Sequence, residues 1–542
     1  MTDTPPRGRR TPLLAVLAVI ALAAAFRVRV ADVPLERDEG EYAYAGQLIL
    51  QGVPPYTQAY SMKFPGTYYA YSAIMALAGP SVRAIHLGLM LVNAATILLV
   101  FALGRRLLDD FTAVLAAAFF ALLSLDRGVM GIWAHATHFA LCFAMGGLLL
   151  LVRGQPNRRA PTFLGAGLLF GTAVLMKQHA VAYFAGGLAL TVGDCLGGGR
   201  RDYRAAGRRA GWLGLGFALP LAALTAVMAV QGVWRQFWFW TVTYATEYVR
   251  TVPLRDVAGT LFYGVSKAGE HTFLIWFLAG AGLVALALSR WPGRAQAIVF
   301  GLTVASWLAI VPGFLFREHY FVLLLPALAL LAAIAVAASG RLLPRARAGA
   351  VAARFVASLL FLASIGHYVV SERDYLFTMS PVELSRQRYK ANLFPEMAAI
   401  GRYVREQSAA DDRVAVLGSE PEILFYAGRR SATGYIYTYA LMEPQPFAQR
   451  MQEQMMREIE SSMPLFLVTV KTHPSWLVRP ESDRTIFDWA RRFAREHYEL
   501  VGTVEGDETG RARVSWSGAA GEAGPRAEIL ARVYRRREGI PR

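Results

Sequence analysis

Cysteine is almost absent from this chain, which has only Cys142 and Cys195 among its 542 residues. Both lie in or beside apolar segments, which argues against a disulfide framework and against a cysteine-based metal site. The sequence also has neither a glycine-rich dinucleotide loop nor a phosphate-loop motif, so it gives no sign of a common nucleotide-binding fold. Acidic residues are scarce as well, since 39 Asp and Glu stand against 56 Lys and Arg.

Apolar residues, by contrast, make up 55% of the sequence. That share is too high for a soluble protein of this length and is typical of a polytopic membrane protein. The formal net charge of +17 could indicate nucleic-acid binding, but the basic residues occur in short runs between apolar segments. Loops that stay in the cytoplasm carry an excess of Lys and Arg, so this pattern predicts membrane topology and no nucleic-acid partner. The runs are Arg105-Arg106, Arg153 with Arg158-Arg159, Arg200-Arg201 with Arg208-Arg209, Arg290 with Arg294, and Arg341 with Arg345 and Arg347.

The first apolar segment, from Pro12 to Phe26, follows three arginines and lacks a convincing signal-peptide cleavage site. We therefore expect a retained helix that begins in the cytoplasm. About eleven spans are expected within residues 1–370, with a first external loop over 27–80. Inside that loop, 40–51 and 68–77 are predicted to form short amphipathic helices at the membrane interface.

The composition changes near Ser371 and predicts an extracytoplasmic α/β domain over residues 371–542. The expected fold class is thus a polytopic α-helical membrane protein with a C-terminal extracytoplasmic α/β domain. No internal repeat is evident. Strands are predicted at 414–418, 465–470, 500–504 and 529–533, and helices at 422–426 and 483–497.

An acidic cluster directly follows the first span, in the stretch Glu36-Arg37-Asp38-Glu39-Gly40-Glu41-Tyr42. Carboxylates at a membrane boundary are costly to desolvate, which makes them functional candidates. A solvated loop or a helix cap is the alternative. A carboxylate in this place can accept a proton from a hydroxyl group or hold a metal ion. Adjacent side chains diverge, so at most one of Asp38 and Glu39 is expected to be a catalytic base.

Several cations lie at other predicted external ends. Lys63 could bind a phosphate as a point charge, or it could be an interfacial lysine that snorkels to water. Lys177 could contact phosphate or complement a helix dipole. Arg317 and His319 could clamp a phosphate, and a surface ion pair between Arg317 and Glu318 is the alternative.

His135 and His138 lie three residues apart and would share one face of a helix. Together with Asp38 they could hold a divalent metal, because histidine is a common ligand. Ordinary lining of a polar cavity is the alternative, so no metal ligand is assigned. The Trp and Tyr residues between Trp234 and Tyr248 could stack on sugar rings or anchor the chain at the interface.

The order of these motifs resembles that of the polyprenyl-phosphate-dependent glycosyltransferases of the GT-C type. It is similar in particular to the bacterial relatives of the protein O-mannosyltransferases and to the lipid A aminoarabinose transferases. The sequence departs from their usual Lys-Pro-Pro by having Phe64 after Lys63. The resemblance rests on the segments 37–42, 52–56, 63–69, 165–177, 319–326, 416–421 and 428–430.

The resemblance implies an enzyme of a bacterial-type inner membrane that moves a sugar from a polyprenyl phosphate to a hydroxyl group. The acceptor would be a lipid, glycan or protein on the extracytoplasmic side, and the anomeric carbon would be inverted. Asp38 would be the general base and Lys63 would contact the lipid-linked phosphate, with Lys177 and His319 as further phosphate-side candidates. The predicted substrate-binding set also contains Glu41, Tyr42, Arg317, His135 and His138.

Two rival functions remain at this point. A transporter or flippase of lipid-linked sugars would also have many spans and intramembrane charges, although it would be expected to show repeated halves and broken helices. A non-catalytic envelope assembly protein with a binding domain is the second.

Overall fold

A computed structural model describes residues 10–152, 159–197, 201–250, 252–288, 293–339, 347–506, 512–517 and 528–540. Much of the basic pattern, namely the arginines at 7, 9, 153, 158, 200, 290, 341 and 345, lies outside the described residues. The chain divides into two compact units. The first unit is Met1–Ala31, His86–Val227 and Val252–Met379, and the second is Asp32–Ile85, Met228–Thr251 and Ser380–Arg542.

Long apolar helices confirm a multi-pass membrane protein. Among the described residues, six helices are long and apolar enough to cross a membrane. A further pair, Leu254–Gly269 and Phe273–Leu288, passes the same test together but is bent by 111°. Four shorter apolar helices accompany them, and the expected number of about eleven spans stays a prediction. The six are Thr11–Arg29, Val82–Leu107, Gln178–Leu196, Tyr203–Val230, Gly293–Ile310 and Glu318–Ser339.

The first unit is built around helix α15 (Leu325–Ser339), whose residues from Leu325 to Val336 are all buried. A helix that is apolar on every side is stable only when other helices surround it. Helices α5 and α13 pack against it, and a methyl group at Gly282 of α13 would collide with the backbone carbonyl of Leu331. The helices up to residue 371 are α1 (Arg10–Arg29), α2 (Arg37–Leu50), α3 (Gly66–Ala78), α4 (Val82–Leu107), α5 (Asp110–Leu123), α6 (Ala136–Val152), α7 (Ala160–Met176), α8 (Val181–Leu196), α9 (Tyr203–Val230), α10 (Trp234–Trp238), α11 (Ala245–Val249), α12 (Val257–Gly269), α13 (Phe273–Leu288), α14 (Gly293–Ile310), α15 and α16 (Arg347–Ser371).

The second unit contains a six-stranded mixed sheet in the order β2-β1-β3-β6-β4-β5. Strand β1 pairs in parallel with β2 and β3, whereas β6 runs antiparallel to β3 and β4. Strands β1 and β3 are almost wholly buried, as their continuous apolar sequences require. The strands are β1 (Arg413–Leu417), β2 (Arg430–Ser431), β3 (Phe466–Val470), β4 (Tyr498–Gly506), β5 (Ala512–Trp516) and β6 (Glu528–Arg536).

Two helices from the N-terminal half, α2 and α3, belong to this same unit. They pack against each other, and α2 also packs on α19 (Glu422–Ala427), where a methyl group at Gly40 would lie 2.6 Å from the backbone nitrogen of Glu422. That approach is possible only because residue 40 lacks a side chain. The remaining helices are α17 (Pro381–Tyr389), α18 (Phe394–Glu406), α19 (Glu422–Ala427), α20 (Tyr439–Met442), α21 (Ala448–Ser462), α22 (His473–Trp476) and α23 (Thr485–His497).

The four strands and two helices expected after residue 371 are present, with ends shifted by a few residues. The two short helices expected inside 27–80 are also present, as α2 and α3. Among the described residues, the sequence pattern missed two strands, β2 and β5, and eight helices, α10, α11, α12, α17, α18, α20, α21 and α22. The expected domain boundary between 370 and 371 stays a prediction, and the compact units divide the chain differently, because 32–85 and 228–251 cluster with the residues from Ser380 onward.

Candidate active site

Helix α2 begins within the acidic cluster because a capping box closes its N-terminus. The side chain of Glu36 accepts the backbone N–H of Glu39 at 2.9 Å, and the side chain of Glu39 accepts the backbone N–H of Glu36 at 3.2 Å. These contacts satisfy two amide groups that have no partner inside the helix. Glu39 is fully buried in this position. The helix-cap alternative therefore describes Glu36 and Glu39.

Asp38 lies between them in sequence and makes different contacts. Its carboxylate is 2.8 Å from the ammonium nitrogen of Lys63, which also lies 2.7 Å from Glu41. The hydroxyl of Tyr437 donates to Asp38 at 2.9 Å, and the hydroxyl of Tyr68 donates to Glu41 at 2.6 Å. The structure thus brings the predicted residues Asp38, Glu41 and Lys63 into one polar cluster, which we call the Asp38–Lys63 cluster.

The loop before α3 positions Lys63 in this cluster. The hydroxyl of Tyr56 donates to the backbone carbonyl of Lys63 at 2.8 Å. The ammonium group then lies 4.6 Å from the ring centre of Tyr42 and 5.5 Å from that of Tyr437. An aromatic face attracts a cation, so Tyr42 supports the charge of Lys63.

Burial opposes the charge of Lys63, but the fields of Asp38 and Glu41 outweigh it and raise the pKa of Lys63 well above its usual value. Burial, reinforced by Asp38, raises the pKa of Tyr437, and burial with Glu41 raises that of Tyr68. Lys63 is therefore an ammonium and both phenols keep their protons at neutral pH. Lys63 and Tyr437 donate to the same oxygen of Asp38, whereas Lys63 and Tyr68 donate to different oxygens of Glu41.

Arg37 fastens the start of α2 to the C-terminal part of the second unit. Its guanidinium lies 3.1 Å from Glu420, donates to the carbonyl of Ser419 and donates to Asn392 at 3.0 Å. The hydroxyl of Ser475 donates to the other oxygen of Glu420 at 2.7 Å. A buried, multiply bonded guanidinium fixes geometry, so Arg37 positions the residue that follows it.

A second group of predicted residues lies in the first unit, around Tyr320. The ammonium of Lys177 is 4.7 Å from the ring centre of Tyr320, and the ring of His319 meets the same ring edge-on at 4.8 Å. The ring of His135 stacks on that of His319 at 4.3 Å and 10°. We call these four residues the Tyr320 cluster. It offers one ammonium and two imidazoles within a short distance of one another.

Two further predicted residues, Arg317 and His138, lie close in sequence to members of the Tyr320 cluster. Arg317 is exposed and immediately precedes a 3₁₀ helix, Glu318–Leu324. His138 is buried in the first turn of α6, where its backbone N–H donates to the carbonyl of His135 at 3.1 Å.

Sequence reasoning missed Tyr437 altogether and placed Tyr68 only at the start of a short interfacial helix. Tyr437 lies 399 residues after Asp38, so no local pattern could have paired them. Tyr68 stands in the quoted segment 63–69, but its contact with Glu41 depends on how α2 packs on α3. Arg37 was read only as part of the motif, since its partners Ser419 and Glu420 belong to the C-terminal region.

Comparison with known proteins finds one family that matches part of this chain. The family described as dolichyl-phosphate-mannose-protein mannosyltransferase matches residues 62–223. A search of curated protein sequences finds no match to this chain.

Solved structures share the fold at low sequence identity. ArnT from Cupriavidus metallidurans, bound to undecaprenyl phosphate, is 16% identical with a TM-score of 0.59 over 95% of this chain and 99% of that chain. The oligosaccharyltransferase AglB from Archaeoglobus fulgidus, in complex with an inhibitory peptide and a dolichol-phosphate, is 15% identical with a TM-score of 0.54 over 96% and 76%. The arabinofuranosyltransferase AftD from Mycobacteria is 13% identical with a TM-score of 0.52 over 99% and 40%.

These likenesses define the class: the chain has the fold of GT-C membrane glycosyltransferases. Within that class, the part of the chain from 62 to 223 carries the sequence pattern of the dolichyl-phosphate-mannose-protein mannosyltransferase family. The resemblance predicted from the motifs is confirmed at the level of fold.

A metal cofactor is not established for this chain. One structure of the Archaeoglobus fulgidus oligosaccharyltransferase is a complex with Zn and sulfate. Here the ammonium of Lys63 bonds to both Asp38 and Glu41 and offsets one of their two negative charges.

Proposed function

We propose that this protein transfers a hexosyl or pentosyl group from a polyprenyl phosphate to a hydroxyl group, with Asp38 as the general base. The reaction takes place on the extracytoplasmic side of a bacterial-type inner membrane. The acceptor is a lipid, a glycan or a protein of the cell envelope.

The relative exposure of the carboxylates carries this proposal. The residues Glu36, Glu39 and Glu41 are 6%, 0% and 2% exposed, and each is bonded within the fold. The side chain of Asp38 is 16% exposed, so within the acidic cluster it is the carboxylate that a substrate can reach. A general base must come within hydrogen-bond distance of the proton that it removes.

The proposed sugar transfer needs only one base to account for every bond and proton. The acceptor oxygen forms a bond to the anomeric carbon, its proton passes to the carboxylate of Asp38, and the bond from the anomeric carbon to the phosphate oxygen breaks. Polyprenyl phosphate leaves with the bonding electrons as a stable anion, so no general acid is needed. Attack opposite the leaving group inverts the anomeric carbon.

Lys63 and Tyr437 prepare Asp38 for this role. An adjacent cation and a hydrogen-bond donor both favour the charged form of a carboxylate, which is the form that accepts a proton. They also fix the direction of the oxygen that is not bonded to Lys63. Lys63 is thus a positioning residue for the base, and its contact with the donor phosphate stays a separate proposal.

The Tyr320 cluster supports a role on the donor side. A departing phosphate is stabilised by preorganised cations and N–H donors. Lys177, His319 and His135 supply such groups, and Arg317 adds an exposed guanidinium to the same stretch as His319. We assign these residues to the phosphate of the lipid-linked sugar.

The composition of the second unit supports the proposed topology. Its three segments come from 32–85, 228–251 and the region after 380. The charge pattern predicts each of them to be extracytoplasmic, and loop segments that pack into one folded unit outside the spans are expected on the same side of the membrane. The N-terminus is then cytoplasmic and residues 371–542 are extracytoplasmic.

The deciding experiment compares the envelope of a deletion strain with that of strains carrying the wild-type gene or Asp38→Asn. Mass spectrometry of lipids, glycans and proteins should show one sugar modification that is restored by the wild type alone. A flippase of lipid-linked sugars predicts instead that many modifications fall together. Restoration by Asp38→Asn would refute the assigned chemistry.

A further inference from the structure

A cavity of about 320 Å³ opens within the second unit, apart from the carboxylates of the Asp38–Lys63 cluster. Ligand pockets in proteins span about 300–1,000 Å³, so this one suits one or two sugar-sized rings. Its walls come from three distant parts of the sequence: Tyr60 before α3, the stretch from Arg235 to Trp240, and residues from Tyr435 to Gln454.

One wall is aromatic and rigid. The rings of Tyr60 and Trp240 stack at 5.4 Å and 18°, and Tyr435 meets Tyr60 edge-on at 4.9 Å. The backbone N–H of Tyr60 donates to the carbonyl of Gly434 at 2.7 Å, and its hydroxyl donates to Glu458 at 3.0 Å. A methyl group at Gly434 would overlap the ring of Tyr60. The platform is therefore preorganised and pays little ordering cost when a ligand binds.

The rim adds two further rings that are only partly covered. Phe239 and Phe447 meet edge-on at 5.3 Å and 74°. Both line the cavity. Aromatic faces accept the C–H face of a sugar ring as well as any apolar group, which gives the cavity a flat contact surface for a saccharide.

The charged residues that line the cavity restrict the kind of ligand that it can bind. Arg235 and Arg450 line the cavity and are exposed, and no Asp or Glu lies among its lining residues. Neither arginine forms an ion pair within the described part of the chain. The amide of Gln454 also lines the cavity; its oxygen accepts the hydroxyl of Tyr435 at 3.0 Å and its nitrogen donates to Glu458 at 2.8 Å. Guanidinium groups bind carboxylate and phosphate through paired N–H donors.

We propose that this cavity is the subsite for an acceptor saccharide that carries a carboxylate or phosphate group. The aromatic wall holds the face of a sugar ring, and the two arginines bind its anionic substituent. The inference rests on the proposed function, because only a transfer reaction needs an acceptor. It commits the acceptor to an acidic glycan or glycolipid headgroup rather than to a neutral peptide.

Binding to the full-length protein in lipid nanodiscs tests the site directly. The probes are a glucuronate-containing disaccharide, lactose as a neutral disaccharide, glucose 1-phosphate and inorganic phosphate, each followed by saturation-transfer NMR. The glucuronate disaccharide or glucose 1-phosphate should bind more tightly than lactose and than inorganic phosphate. Whichever of these two probes binds more tightly identifies the anionic group as a carboxylate or a phosphate. Equal binding of lactose, or tightest binding of inorganic phosphate, would overturn the proposal.

Variants locate the binding. Arg450→Gln and Arg235→Gln should each weaken the binding of the acidic saccharide about tenfold. Phe447→Ala should weaken the binding of every saccharide to the same extent. The matched control is Arg492→Gln, which removes an equally exposed guanidinium from α23 in the same unit, outside the cavity. Unchanged affinity in both cavity arginine variants, or an equal loss in Arg492→Gln, would refute the assignment.

The same variants separate this inference from the proposed transfer activity. In a working transfer assay, Arg450→Gln should raise the KM for the acceptor and leave the KM for the lipid donor unchanged. An active enzyme whose acceptor KM is unaffected would refute the subsite alone. A wild-type protein that binds the acidic saccharide and releases no polyprenyl phosphate would refute the transfer function while leaving the subsite intact.

Discussion

Replacing Asp38 by Asn gives the sharpest test of the proposed chemistry. Asparagine keeps the shape of the side chain and removes the proton acceptor. Its amide oxygen can still accept the hydroxyl of Tyr437, now 2.9 Å from the carboxylate. Lys63 keeps Glu41 at 2.7 Å as its counter-ion, so no buried charge is left alone. The fold should therefore survive the change.

The expected loss follows from the role of a positioned base, which contributes ~10²–10⁴-fold to turnover. At ~1.4 kcal/mol for each factor of ten, the barrier should rise by roughly 3–5 kcal/mol. The free energy of unfolding should fall by less, about 1–3 kcal/mol, because one hydrogen bond to a charged group is lost. The expected rise in the activation barrier is thus larger than the expected loss of folding stability.

The assay measures the release of polyprenyl phosphate from its sugar-loaded form by membranes, with an envelope extract as the acceptor. Donor binding should be unchanged in Asp38→Asn, since no contact to the lipid is removed. Glu39→Gln is the matched control, because glutamine can keep the capping box and its place in α2. We expect it to stay near wild-type activity.

Two results would refute this reasoning. If Glu39→Gln abolished transfer while Asp38→Asn left it near normal, the roles of the two carboxylates would be exchanged. If both variants were fully active, the base would lie outside the acidic cluster, and His135 and His138 would be the next residues to test.

The sequence predicted the parts of the fold that depend on local pattern. Long apolar runs gave the spanning helices, and short apolar runs gave the strands that became β1 and β3, since burial on both faces demands such sequences. It missed α12, whose partner α13 follows after a sharp bend that the composition does not reveal. It also missed β5, a short strand that depends on pairing with β4.

The candidate site shows the same limit. Asp38, Glu41 and Lys63 lie within 26 residues of one another, and the resemblance, through its segments 37–42 and 63–69, suggested a shared role. Tyr437 donates to Asp38 from the far end of the chain, a contact that only folding reveals. The assignment of Glu39 beside Asp38 as a catalytic candidate came from adjacency alone, and the capping box gives Glu39 a structural role that the helix start explains.

The remaining predictions address packing, charge and pH. Gly40→Ala should reduce the melting temperature by several degrees, because the new methyl group would lie 2.6 Å from the backbone of Glu422; an unchanged melting temperature would show that the two helices can separate at no cost. Chelation with EDTA should leave transfer intact, because the ammonium of Lys63 already occupies the position of a shared cation between Asp38 and Glu41, and complete loss with recovery on adding zinc would contradict this. Burial raises the pKa of Asp126 to about 7, so the folded state favours its protonated form and loses stability as pH rises from about 4 to 7; Asp126→Asn should flatten that decline in thermal melts, and an unchanged slope would refute the assignment. Lys63→Met should move the acid limb of the pH–rate profile to higher pH, because the ammonium that favours the charged form of the base is gone. Lys63→Arg keeps a cation there and should leave the acid limb near its wild-type pH. If Lys63→Met instead raised only the KM for the lipid donor and left the profile unmoved, Lys63 would act on the donor phosphate and not on the base.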